Sequence, residues 1–203
     1  MKKALLALAI LALPVMALPA QTTLTFDDIG CGICAVPNGY GGLNWNNFYA
    51  LNTTSEPPSG YHPGTTSGQY VAFNGSGVPA SVTQGSDPFA FNSGQFTSAW
   101  NDNLNLDVTG YVGSVPTYFA SYILSATAPT LLTFNWANLS EVDFISSGGT
   151  QHSGYDQGSG TQFALDDLTI NSSAVPEPAS AALLGTGLVG LYGVIRRRRE
   201  SAK

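Results

Sequence analysis

The residues best equipped for chemistry are two aspartate pairs near the ends of an acidic body. Leu24, Thr25, Phe26, Asp27, Asp28 and Ile29 are echoed in type by Phe163, Ala164, Leu165, Asp166, Asp167 and Leu168. In each copy the alternation slips by one at the acids, as it does at a β-bulge. Calcium takes about six to eight oxygens, and carboxylates beside bulged carbonyls supply such ligands. Asp27, Asp28, Asp166 and Asp167 therefore make a candidate structural calcium site, provided the first and last strands are neighbours. The competing reading is four solvated turn carboxylates, since no EF-hand or RTX spacing accompanies the pairs.

Cys31 and Cys34 are the only cysteines. In an exported chain they read as a small-loop disulfide. A redox pair would need a βαβ setting with a helix following, and Gly30, Gly32 and Pro37 argue against one. Zinc would need two further ligands, and besides carboxylates only His62 and His152 are available.

Trp45, Trp100 and Trp136 sit in or beside predicted strands and read as core. Tyr40 and Tyr155 lie in Gly-rich loops and are the candidate stacking platforms for sugar rings. Glycoside hydrolysis needs a carboxylate pair, and the body's only glutamates are Glu56 and Glu141. No G-x-S-x-G elbow is present. No catalytic residue is assigned, and an enzyme is not expected.

All seven Lys and Arg residues lie in the termini, at Lys2, Lys3, Arg196, Arg197, Arg198, Arg199 and Lys203. Residues 21–174 carry eleven acids and no Lys or Arg. Such a body neutralises no phosphates, so no nucleic-acid partner is expected. It also lacks the cationic clamp of phosphoryl-transfer sites.

The elements that must position these residues are short strands. Strands are predicted at 23–26, 43–49, 69–74, 89–91, 95–100, 104–112, 117–124, 130–136 and 161–171, with a turn at Asn92, Ser93 and Gly94. Polar loops are predicted at 52–68 and 146–160. No helical period of useful length precedes Ala179. Many short strands between turn signals argue for an all-β sandwich.

The ends are targeting signals. Residues 1–20 read as a signal peptide: Lys2 and Lys3, an apolar core, then small-residue cleavage sites at Ala17 and Ala20. Val175, Pro176, Glu177 and Pro178 hold the chain extended. Residues 179–195 carry no charge, enough for a single C-terminal transmembrane helix. Arg196, Arg197, Arg198 and Arg199 follow, placing that end in the cytoplasm and the body, 21–174, outside.

Residues 175–199 resemble the PEP-CTERM sorting signal of Gram-negative bacteria, a tail also catalogued as the ice-binding protein C-terminal domain. The resemblance implies an exosortase-type protease as partner, transient anchoring in the inner membrane, and cleavage near Pro176-Glu177-Pro178. It also implies a host that makes extracellular polysaccharide. Separately, the Phe163-to-Ile170 pattern resembles the closing strand of carbohydrate-binding jelly rolls. That implies first and last strands side by side, with an acid there holding structural calcium. The expected protein is an exported surface or matrix component with a jelly-roll-like β-sandwich body, structural or adhesive in an exopolysaccharide or biofilm setting. The alternatives are a carbohydrate-binding module and a secreted hydrolase.

Overall fold

The computed structural model describes residues 21–85 and 87–171. The signal peptide and the sorting tail with its apolar span lie outside those residues. Among the described residues no helix is long and apolar enough to cross a membrane.

Among the described residues fourteen strands follow in chain order. They are β1 (Thr22–Leu24), β2 (Ile33–Ala35), β3 (Asn44–Asn46), β4 (Phe48–Asn52), β5 (Tyr70–Asn74), β6 (Ala80–Thr83) and β7 (Phe89–Ser98). After these come β8 (Asn101–Asp102), β9 (Leu104–Val112), β10 (Val115–Leu124), β11 (Thr130–Leu139), β12 (Glu141–Ser147), β13 (Thr150–Gln151) and β14 (Phe163–Ile170). One helical turn, α1 (Tyr61–Gly64), interrupts the long loop before β5.

The strands form two main antiparallel sheets. One runs β11-β7-β14-β5-β4-β2, and the other runs β10-β9-β12-β6-β3. β8 and β13 pair separately. In the first sheet, one edge of β14 is shared: Ala164 and Leu165 meet β5, while Leu168 to Ile170 meet β1. The first and last strands are therefore neighbours, with Leu24 opposite Leu168. Between the two halves of that edge lies a bulge at Asp166 and Asp167, where the register with β7 shifts and Asp167 takes φ 47°. The first aspartate pair does not sit in a matching bulge. β1 has ended by then, and Phe26 turns the chain at φ 62°.

The sheets close on a core of aromatic rings. Phe144 on β12 meets Phe48, Phe91, Phe96 and Phe163 of the facing sheet at centroid distances of 5.5, 5.8, 6.2 and 5.8 Å. Each fully buried Phe stabilises the fold by roughly 1.5–3 kcal/mol over an exposed one. Trp45, Trp100 and Trp136 are buried, as core residues should be. One polar tie crosses the core: Asn74 Nδ2 donates to Ser146 Oγ at 3.0 Å, while Asn74 Oδ1 accepts the Phe163 N–H at 2.9 Å.

Two expectations from local sequence fail. Asn92, Ser93 and Gly94 are not a turn but the middle of the continuous strand β7. Gly94 is there for close packing, since a Cβ would stand 2.9 Å from Leu165 Cδ1 and 3.0 Å from Phe96 Cε2. The stretch 137–145, given no element from the sequence, contains most of β12, the central strand of the five-stranded sheet.

Candidate functional site

The four aspartates are each hydrogen-bonded within the fold. Among the described residues, no group of three or more His, Cys, Asp or Glu is placed to hold a metal ion. Asp27, Asp166 and Asp167 are engaged by the loop 66–70, and Asp28 by Tyr40. Asp166, fully buried, accepts the backbone N–H groups of Thr66 at 2.7 Å and Ser67 at 2.8 Å, and that of Asp167 at 2.7 Å. Asp167 accepts the Thr66 hydroxyl at 2.8 Å. Asp27 accepts the N–H groups of Gln69 at 2.7 Å and Tyr70 at 3.1 Å. Asp28 accepts the Tyr40 hydroxyl at 2.7 Å. Asp27, Asp166 and Asp167 strap one loop between the first and last strands. Burial raises the Asp166 pKa, while the N–H donors of Ser67, Asp167 and Thr66 act in the opposite direction.

Tyr40 is not an open platform. Its ring lies 5.6 Å from Phe26, its hydroxyl accepts the Phe26 N–H at 3.0 Å, and its carbonyl accepts the Trp45 Nε1–H at 3.0 Å. Tyr155 is half-buried and also tied down. Its hydroxyl donates to the Ala126 carbonyl at 3.1 Å, and its ring lies 4.5 Å from that of His152. His152 Nδ1 in turn pairs with Asp102 Oδ2 at 2.8 Å. A polar groove of about 490 Å³ lies beside Tyr155, lined by Gln151, Asp156, Gln157, Gly158 and Ser159. Cys31 and Cys34 are joined by a disulfide. His62 contacts the carbonyls of Glu56 and Pro57 through Nε2 at 3.1 and 3.2 Å. Glu56 follows β4 of one sheet and Glu141 opens β12 of the other, so the two glutamates form no pair.

The side chains that do converge stand on the open face of the five-stranded sheet. Alternation along β12 sends Val142 and Phe144 into the core and turns Glu141, Asp143 and Ile145 outward. Register then builds two rows across the sheet. Asn46, Ser81, Asp143, Thr109 and Phe119 lie opposite one another in one row. Asn44, Thr83, Glu141, Tyr111 and Pro116 form the next. On this face is a shallow recess of about 250 Å³, lined by Asn46, Pro79, Ala80, Ser81, Glu141, Asp143 and Ile145.

Electrostatics within the recess are coupled. Ser81 and Asp143 are the side chains that act on Glu141, and Asp143 is the one that acts most strongly on Tyr111. Partial burial raises the Glu141 pKa, and the Asp143 charge adds to it, so Glu141 holds its proton more tightly than a free carboxyl. The Asp143 charge, followed by burial, raises that of Tyr111. The result is a cluster of polar groups, Tyr111, Asp143, Glu141 and Ser81, with Asn46 opposite Ser81 and exposed Phe119 at the end of the row. Carboxylates, amides and hydroxyls are the side-chain groups that hydrogen-bond hydroxyl ligands, and an exposed ring offers an apolar face. The sequence reading missed it because β6 and β12 had no assigned strand. The signal was present in Glu141, Val142, Asp143 and Phe144, which alternate polar and apolar.

Comparison with known proteins identifies a PEP-CTERM protein-sorting motif at residues 174–199. No curated protein matches the chain. Among solved structures, a DUF4465 family protein from Bacteroides ovatus is similar at TM-score 0.45 and 11% identity, covering 76% of this chain and 96% of that one. CBM51 from Clostridium perfringens GH95, in complex with methyl-galactose, is similar at TM-score 0.38 and 8% identity, with 73% and 99% covered. TmCBM61, in complex with β-1,4-galactotriose, is similar at TM-score 0.32 and 8% identity, with 66% and 93% covered. No residue of this chain takes a role from any of them.

Proposed function

We propose that this exported chain, sorted by its PEP-CTERM motif, is a cell-surface or matrix protein that holds neutral polysaccharide on the open face of its five-stranded sheet. The observation that carries the reading is the recess at Glu141 and Asp143. Its two carboxylates, one amide and one serine hydroxyl stand on strands, where rigid backbone holds their spacing, and the Tyr111 phenol stands opposite Glu141 beside it. Carboxylates and amides are suited to accept and donate hydrogen bonds with sugar hydroxyls, and Phe119 and Tyr111 offer ring surfaces.

Charge selects the class of polymer. Residues 21–174 contain eleven acids and no Lys or Arg. An anionic glycan would meet only like charge, so a neutral one fits better. The recess is shallow and open, which suits a section of polymer lying across the sheet rather than a small molecule enclosed within it. The reading assigns binding and no catalytic step.

The sorting motif implies processing by an exosortase in the inner membrane, so the body passes through a transient anchored stage. The test is retention of the mature chain on insoluble polysaccharides in parallel, neutral against anionic, at physiological salt. Retention by a neutral polymer alone is expected. Retention by anionic polymers alone would overturn the reading.

A further inference from the structure

We propose that the free edge of β10 pairs with β10 of a second copy, joining two five-stranded sheets into one continuous sheet. Open edges carry unpaired backbone donors and acceptors, and natural sheets blunt them with short strands, bulges or charges. At the ends of the two main sheets, three of the four edge strands are blunted. β2 and β3 have three residues each. β11 breaks register with its neighbour twice, at segments containing Asn135 (φ 53°) and Asn138 (φ 59°).

β10 has little of this protection. It is ten residues long, and its one register shift lies between Pro116 and Tyr118. From Tyr118 to Leu124 the register with β9 is unbroken. Val115–Leu124 contains no charged residue, in a body whose eleven fixed charges are all acidic. It is therefore an edge where two acidic copies can meet without like charges in contact. Its outward side chains are exposed, Phe119 at 68% and Ile123 at 59%.

The sequence of the edge is also self-complementary. An antiparallel two-fold pairing centred on Ser121 sets Phe119 opposite Ile123 of the other copy on the outer face. On the inner face it sets Ala120 opposite Tyr122 of the other copy. Aromatic against β-branched and small against large are favourable cross-strand pairs. A two-fold contact of this kind satisfies both edges at once and leaves no new edge. Phe119 also ends the row that begins at Asn46, so the two outer faces become one. The contact involves one strand from each copy, so its affinity is modest, with Kd on the order of micromolar or weaker.

The experiment is sedimentation equilibrium of the mature chain over a concentration series. Wild type is expected to dimerise reversibly. Ser121→Lys sets two like charges face to face, and it should weaken the dimer by on the order of ten-fold or more with the folding midpoint unchanged. Ser121→Cys should give a disulfide-linked dimer on mild oxidation, because residue 121 faces its own copy. Thr117→Cys should not, because its opposite position would be Ser125. A wild type that stays monomeric throughout would overturn the proposal. So would a dimer that Ser121→Lys leaves intact, or a cross-link at 117 without one at 121.

Discussion

Tyr111 on β9 stands beside Asp143 on the neighbouring strand β12, on the same open face, where the Asp143 charge raises its pKa. The phenol lies on the surface, so it contributes more to the shape of the site than to the stability of the fold. Tyr111→Phe should therefore leave the thermal midpoint unchanged and weaken polysaccharide binding several-fold, as read by titration calorimetry. An equal loss of both would make Tyr111 a structural residue.

The carboxylate pair predicts an unusual pH dependence. Glu141 binds its proton more tightly folded than unfolded, so its pKa lies above the ordinary 4.5. A raised carboxyl favours the folded state when protonated. Its contribution is fully present below 4.5 and is lost as pH rises through the folded value. Asp166 is shifted in the same direction by burial. Thermal melting should give a higher midpoint as pH falls from neutral toward the ordinary carboxylate range. Glu141→Gln should raise the midpoint at neutral pH and flatten that slope.

Asp166 straps the loop that joins α1 to β5. Its removal leaves the Thr66 and Ser67 N–H groups without their acceptor. Asp166→Ala should cost about 2–4 kcal/mol in chemical denaturation, and Asp166→Asn less, since an acceptor oxygen remains. Gly68→Ala tests the same strap from the loop side. Gly68 has φ 48°, and a Cβ there would fall within 2.0 Å of Asp27 Oδ1. That variant should be destabilised even though it removes no contact.

The sorting tail makes a prediction independent of the sheet face. The mature protein from its native host should end between residues 175 and 179, as read by intact mass. A mature chain that still carried Arg196 to Arg199 would contradict processing at the motif.

The sheet class was legible in alternation, and the adjacency of β1 and β14 was implied by the resemblance of the Phe163-to-Ile170 pattern to a jelly-roll closing strand. The candidate site was not. Asp27 and Asp166 attracted attention as metal ligands because carboxylates in pairs look unsatisfied in sequence. Sequence does not show that residues 66–70 bring backbone donors to Asp166 across 100 positions and to Asp27 across 42. Tyr40 looked exposed because glycines surround it, yet its ring covers Phe26. Gly94 looked like a turn because nothing local reveals Leu165 beside it. The five residues of the Asn46-to-Phe119 row come from five strands, so only register brings them together.

The central claim is that the Glu141–Asp143 face binds neutral polysaccharide. The direct measurement is affinity of the mature chain for a neutral polymer, wild type beside a Glu141→Gln, Asp143→Asn double variant, with folding checked by thermal melting. The account predicts that wild type binds, and that the folded double variant loses at least about ten-fold in affinity, roughly 1.4 kcal/mol. A folded double variant that binds as tightly as wild type would contradict it.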